Sequence, residues 1–419
     1  MPTSASARES PLRTATQLAQ QNLASGLHSW EALASAASDF TATLWQQPQP
    51  AAWLASAPWD WLAHMTRRQP PQWASPNEVR LQTPIASLRD FSLDCHDDTV
   101  VPTLVLPPQA GHSSTIVDFS PQQSQMATIR ANGLTRAYAM QWHSATSATS
   151  GTTIEDYVAV IARAVAHIGG PVNLIGDCQG GWLAAIFAAL HPADVHTLTL
   201  AGAPIDFHAD NAAIAVNTQL MTDTFGLAPY RAIVAAGGGN MPGSAVLSGF
   251  IAIQPEAEVA KQLQLLNNLD NDDYVQRYHE FEDWFKHTQD IPGTFYLWLV
   301  EHLFQRNELI KGELVVEGGP VDLRRISCPL YLLAGATDNI TPPGQVFAAR
   351  DYVDTPAEQV ITETSTGGHL GLFMGREALR DQWPTLLADI NRRSRKQHTS
   401  GDSAIPTPAQ PGRPPLPAP

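Results

Sequence analysis

Cys178 is the residue of this chain best placed to do covalent chemistry. It stands in the segment PVNLIGDCQGGWLAAIFAALHP, which reads as a strand, a sharp turn and a helix, with Gly176, Cys178 and Gly180 in the turn. A tight strand-to-helix turn brings neighbouring backbone close, and glycine on either side tolerates that at low cost. The helix start then presents unpaired N–H groups and the positive end of its dipole to the sulfur, which favours the thiolate. Asp177 must point elsewhere, because a carboxylate aimed at the sulfur would oppose that charge.

A cysteine nucleophile needs a base and a group to orient it, and both follow in the chain order usual for a strand-borne nucleophile. Asp338 comes just after the run CPLYLLAG at 328–335, and His369 lies between glycines in GGHLG at 367–371, after VITETST. His369 would take the thiol proton, and Asp338 would fix its tautomer and stabilise the imidazolium. Asp206, in APIDFH at 203–208, also follows a strand and is the rival acid. His112 and His208 are expected to line the pocket. The backbone N–H of Gln179 should form one half of an oxyanion hole, with Gln109 or Ala110, in the loop PPQAGH at 107–112, as the second donor.

These residues require a particular scaffold. From residue 75 onward, short aliphatic and β-branched runs alternate with helical stretches, the pattern of a mostly parallel sheet with helices on both faces. The expected central strands are residues 103–107, 135–142, 171–176, 196–202 and 328–335, and helices are expected over 155–168 and 182–191. Between 204 and 325 the alternation stops. Helical pieces, the stretch GGGNMPGS at 237–244 and an aromatic-rich run from Tyr274 to Phe304 take its place, so an inserted lid with a glycine hinge is expected there. The organisation is then an N-terminal helical segment at 1–74, an α/β core at 75–203 and 326–395, the lid at 204–325, and a proline-rich tail at 396–419 too poor in large apolar residues to fold. Trp30, Trp45, Trp53, Trp59 and Trp61 fall in the first segment, either docking it on the main domain or offering a hydrophobic surface.

Composition narrows the function classes. A 43% hydrophobic chain of 419 residues can bury a full core, and 25 basic against 40 acidic residues disfavours a grip on nucleic-acid phosphates. Cys95, Cys178 and Cys328 are too far apart for a disulfide framework or a metal site, so no metal is expected and a cytoplasmic location is. No run is long and apolar enough for a membrane helix.

The chain resembles the superfamily of polyhydroxyalkanoate synthases and intracellular polyhydroxyalkanoate depolymerases, which have the α/β-hydrolase fold, over residues 77–393. The resemblance is carried by GDCQGGW around Cys178, LPPQAGHSSTIVDF, TLAGAPIDFH, MPGSAVLSGFIAIQP, the stretch leading to GATDNITPP and GGHLGLFMG. It places Cys178, Asp338 and His369 on the family's nucleophile, acid and base. Asn339 departs from the pattern, since synthases usually carry histidine there. The resemblance implies a synthase-like acyltransferase that forms an acyl-Cys178 intermediate from a hydroxyacyl-CoA. The alternatives are a depolymerase or thioesterase, and a non-catalytic granule-associated binding protein. Coenzyme A enters as a thioester substrate, with no cofactor expected, and the implied partners are the polymer, a granule surface or a second copy of the chain. A cysteine suits this chemistry, because exchange between thioesters is nearly balanced and the thiolate is a good leaving group for the next step.

Overall fold

A computed structural model describes residues 34–35, 37–92 and 97–395. Trp30, Cys95 and the expected tail at 396–419 lie outside the described residues. The core is one eight-stranded sheet: β1 (Glu78–Gln82), β2 (Ala86–Asp90), β3 (Thr103–Leu106), β4 (Ala137–Trp142), β5 (Val172–Asp177), β6 (Val195–Ala201), β7 (Leu330–Gly335) and β8 (Val360–Ser365). Their order is β1-β2-β4-β3-β5-β6-β7-β8. β2 is antiparallel to both its neighbours, and every pairing from β4 to β8 is parallel. This is the α/β-hydrolase fold, with the crossover between β3 and β4 and the strand that leads to Cys178 at the centre.

The central strands were legible because they are buried on both faces. Every residue of β3, β5 and β7 is buried, as expected of parallel strands under two helical layers, and their sequences are mostly apolar, with Thr103, Asn173 and Asp177 as the polar positions. β1 and β2 carry Glu78, Arg80, Arg89 and Asp90, and so lack that apolar character. They pair through Arg80 and Asp90, whose Nε to Oδ2 distance is 3.0 Å.

Two helices precede and follow β5 in the chain. Helix α3 (Ile154–Ile168) starts where Asp156 Oδ2 accepts from the Thr153 N–H at 2.9 Å and stops at Gly169, whose φ is 94°. Helix α4 (Gln179–Leu190) is buried on all sides down to Ala189, which its string of Ala, Leu, Ile and Phe allows. On the opposite face lie α2 (Gln125–Ala131) and α10 (Trp383–Ser394), packed around Met126, Ile129, Trp383 and Leu387.

Between β6 and β7 the chain leaves the sheet and builds a cap from α5 (Ala213–Phe225), α6 (Ala228–Ala236), α7 (Gly243–Ile253), α8 (Pro255–Asn267) and α9 (Asp272–Phe285). The glycine stretch expected to hinge this cap is instead a packed crossing. Asn240 and Met241 pair with Ile291 and Pro292, and a Cβ on Gly243 would lie 2.4 Å from the Gln289 carbonyl. Glycine is needed there for close backbone approach. The aromatic run also divides. Phe281, Trp284 and Phe285 face the cavity described below, whereas Phe295 and Trp298 stack with Trp182 against the core.

The N-terminal helix α1 (Pro50–Thr66) docks on the cap and not on the sheet. The Trp61 indole N–H donates to the Gln262 carbonyl at 2.9 Å, His64 and His279 share a 2.8 Å hydrogen bond, and Arg68 meets the buried Glu282 carboxylate at 3.2 Å. Trp61 thus takes part in the docking, whereas Trp45 and Trp59 remain 77% and 69% exposed. No helix among the described residues is long and apolar enough to cross a membrane.

Candidate active site

Strand register places the sulfur. β5 pairs with β3 on one side and β6 on the other, and at its C-terminal end Cys178 adopts φ 50° and ψ −116°, a strained conformation for a residue with a Cβ. The surroundings enforce it: the Cys178 N–H donates to the Ala201 carbonyl at 2.8 Å, and the Cys178 carbonyl accepts from Gly181 N–H at 2.9 Å. Glycine is required on both sides. A Cβ on Gly176 would lie 2.5 Å from the Gly180 carbonyl oxygen, and one on Gly180 would lie 1.9 Å from the Leu106 carbonyl. The elbow therefore packs directly on the end of β3, beside the loop expected to complete the oxyanion hole.

Asp338 and His369 reach the sulfur from the ends of β7 and β8. His369 Nδ1 lies 2.7 Å from Asp338 Oδ2, while Asp338 Oδ1 accepts from the N–H groups of Ile340 and Thr341 at 2.9 and 2.8 Å. With Nδ1 engaged by Asp338, the same imidazole also feels the Cys178 sulfur. Burial alone would lower the pKa of His369, but the adjacent Cys178 sulfur and Asp338 carboxylate outweigh it and push it up to about 10.

Asp177 is turned away from the sulfur, as the elbow requires. It is completely buried, its Oδ1 accepts from Gln125 Nε2 at 3.2 Å, and burial raises its pKa to about 8, against the opposing pull of Gln125 and His369.

Above Cys178 lies a cavity of about 510 Å³. Its floor includes Ala110, Ile340 and Leu370, and its roof is made by Phe250 and Ile251 of α7 and by Phe281, Trp284 and Phe285 of α9. His112 lines it as expected. That ring stacks on both Trp284 and Phe285, at 4.9 and 5.4 Å, and burial drives its pKa down to about 4, so it stays neutral. Of the two candidates for the second oxyanion donor, Ala110 lines the cavity. The Gln109 side chain turns away to accept from the Tyr157 hydroxyl.

Asp206 and His208 are not part of the cavity wall. Asp206 Oδ1 accepts from Asn307 Nδ2 at 2.7 Å and from the His208 N–H at 3.0 Å, and His208 Nε2 bonds the Phe304 carbonyl at 2.8 Å. Both hold the chain where it leaves the sheet for the cap, a task their place after a strand does not distinguish from catalysis. The sequence also gave no sign of Glu258 and Lys261 of α8, which line the far end of the cavity as a 2.7 Å ion pair. Finding them needs the cap's tertiary arrangement.

Among curated relatives, the poly(3-hydroxyalkanoate) polymerase subunit PhaC of Haloferax mediterranei is 27% identical over 285 residues, which is 65% of this chain and 55% of that one. The subunit of the same name from Allochromatium vinosum is 28% identical over 291 residues, 66% of this chain and 77% of that one. An uncharacterized protein in the ackA 5' region of Rhizobium meliloti is 28% identical over 313 residues, 69% of this chain and 41% of that one. The chain thus spans little more than half of the Haloferax protein and less than half of the Rhizobium one. Solved structures with a similar backbone include a carboxylesterase of Nitrososphaera gargenis (TM-score 0.46, 15% identity, 76% of this chain and 99% of that one) and an epoxide hydrolase of Bacillus megaterium (TM-score 0.45, 13%, 74% and 98%). The resemblance expected from the motifs is borne out by these similarities to polymerase subunits. A family model described as a protein of unknown function, DUF3141, matches residues 79–392, and the chain belongs to that family.

Proposed function

We propose that the chain is an acyltransferase that takes a hydroxyacyl group from a coenzyme A thioester onto Cys178 and passes it to a hydroxyl acceptor, in the manner of a polyhydroxyalkanoate synthase. The carrying observation is a cysteine in a strained elbow, within the electrostatic reach of a hydrogen-bonded His369–Asp338 pair and bordering an aromatic-roofed cavity. His369 takes the Cys178 proton, and the thiolate attacks the thioester carbonyl. The oxyanion is met by the N–H of Gln179 and one from the loop holding Ala110. Coenzyme A leaves with the proton from His369, giving acyl-Cys178. His369 then removes the proton of an incoming hydroxyl, whose oxygen forms the new ester as the Cys178 thiolate departs. Coenzyme A serves as the substrate's carrier and no cofactor takes part.

The aromatic roof supports transfer over hydrolysis, since it limits the water that reaches the acyl-enzyme. The setting proposed is inside the cell, at a polymer granule. Purified protein incubated with 3-hydroxybutyryl-CoA tests the reading, with coenzyme A, polymer and free acid measured together and the protein weighed intact. Coenzyme A release with polymer, and an acyl adduct that maps to Cys178, is the expected result. Release matched by free acid would make the chain a hydrolase, and no adduct and no release would remove the acyl-enzyme altogether.

A further inference from the structure

Asp177 directly precedes the nucleophile and has no part in the triad. It is fully buried at the end of β5, paired in register with Ala201 of β6 and bonded to Gln125, the first residue of α2. One hydrogen bond reaches it, from Gln125 Nε2, and Gln125 is also fully buried. Asp177 Oδ2 has no partner, and neither does Gln125 Oε1. A carboxyl and an amide that already share one hydrogen bond thus leave one unsatisfied acceptor each.

An ionised carboxylate here would combine an unpaired charge with two orphaned acceptors in apolar surroundings, each of which is costly. A single proton on Oδ2 removes the charge and supplies the donor that Gln125 Oε1 lacks. Among the described residues, the charged group acting on Asp177 is His369, which favours the carboxylate, and burial outweighs it. The nearby carboxyls have partners of their own: Asp118 accepts from the hydroxyls of Ser75 and Ser124, and Asp338 holds His369.

We propose that Asp177 is a positioning residue that works as a neutral carboxylic acid, its Oδ2–H donating to Gln125 Oε1 while Gln125 Nε2–H donates to Oδ1. This reciprocal pair ties the elbow to α2 and keeps a second negative charge away from the Cys178 sulfur. Its effect on turnover rests on the proposed role of Cys178, whereas the bound proton does not. Loss of the proton on the alkaline side leaves a buried carboxylate beside the nucleophile and slows thioester attack.

The test compares wild type with Asp177→Asn, the conservative variant whose side-chain N–H can replace Oδ2–H, and with Asp177→Leu, which cannot donate. Infrared difference spectra should show the carbonyl band of a protonated carboxyl in wild type at pH 6, absent at pH 10 and absent from Asp177→Asn. In the pH profile of kcat, Asp177→Asn should remain within about threefold of wild type at pH 7, since the hydrogen-bond pattern is kept. It should also lose an inflection near pH 8, while Asp177→Leu loses most of its activity. Stability gives a readout independent of chemistry. Between about pH 4, where an unfolded Asp titrates, and about 8, the folded chain holds a proton that the unfolded chain releases. Relative to Asp177→Asn, which keeps every other titrating group, wild type should therefore lose additional stability to urea as pH rises through that window. A missing infrared band at pH 6, or Asp177→Asn as inactive as Asp177→Leu in a chain that acylates Cys178, would overturn the proposal. Failure of acylation in wild type would instead count against the acyltransferase reading, leaving the infrared and urea results to decide this one.

Discussion

Cys178 and Phe285 border the same cavity, but the chain fixes them by different means. Cys178 is held by backbone: a strand paired on both sides, a hydrogen bond to Ala201, and glycines that let the elbow touch β3. Phe285 is held by side chains. It stacks on Phe281 at 5.1 Å and on His112 at 5.4 Å, beneath the Lys261 ammonium at 5.0 Å. Lys261 is itself tied to Glu258 and Glu282, and Glu282 to Arg68 beyond α1. The nucleophile end can thus be stiff while the roof depends on many contacts that can be exchanged. This is the division expected where chemistry needs fixed geometry and the substrate needs entry.

Chemistry should expose the sharpest contrast between the two regions. Cys178→Ala is expected to abolish turnover and the acyl adduct while leaving the urea midpoint near wild type, since alanine is a smaller apolar residue in the same elbow. More than a tenth of wild-type activity in this variant would take the nucleophile's role from Cys178. Cys178→Ser should retain a little hydrolysis, because His369 can still activate a hydroxyl.

The same contrast explains what the sequence made legible. The elbow, the triad order and the buried strands are written in local patterns, namely glycines flanking a cysteine, mostly apolar runs and polar residues just past strand ends. β1 and β2 escaped because an outer antiparallel strand pair carries charges where central strands carry valine and leucine. In the cap, Phe281 and Phe295 look alike in sequence, and only packing sends one to the cavity and the other against Trp182. Asp206 was plausible as the acid for a related reason, since position after a strand is a local signal and the Asn307 amide that claims it lies 101 residues away.

Asp338→Asn should cost on the order of 10⁴ in kcat, because the amide cannot hold the His369 tautomer and no longer supports its positive charge. Asp206→Asn should lose far less, as it weakens one anchor of the cap. The reverse ordering would move the acid to Asp206. The raised pKa of His369 carries a pH signature. Because its folded value lies above the ordinary histidine value of about 6.5, its contribution to stability is complete below that pH and is lost as pH rises through about 10. In Asp338→Asn that loss should begin at lower pH, as a urea series across pH would record.

Glycine substitutions test backbone placement directly. Gly180→Ala forces a Cβ to 1.9 Å from a backbone oxygen that cannot yield, so a loss of about 3 kcal/mol or more, or failure to fold, is expected in urea unfolding. A well-folded and active Gly180→Ala chain would mean that the elbow is looser than its contacts imply.

The smallest effect should come from the roof, and it decides whether the cap moves. Gly249 lies within α7, where a Cβ would meet nothing within 4 Å, so Gly249→Ala should gain up to about 1 kcal/mol from helix propensity alone. Where that gain appears is informative. If α7, α8 and α9 open without the sheet, the substitution slows hydrogen exchange in those helices and leaves β5 and β6 unchanged. Residues 291–303 should side with the sheet, because Phe295, Val300 and Leu303 are buried and Ile291 and Pro292 are clamped to Asn240 and Met241. A non-hydrolysable acyl-CoA analogue should then add protection to 243–285 and little to 291–303. Equal protection of the two stretches without ligand, or a Gly249→Ala gain spread evenly over cap and sheet, would mean that the cap and core open as one unit. Substrate would then have to enter through a permanent opening.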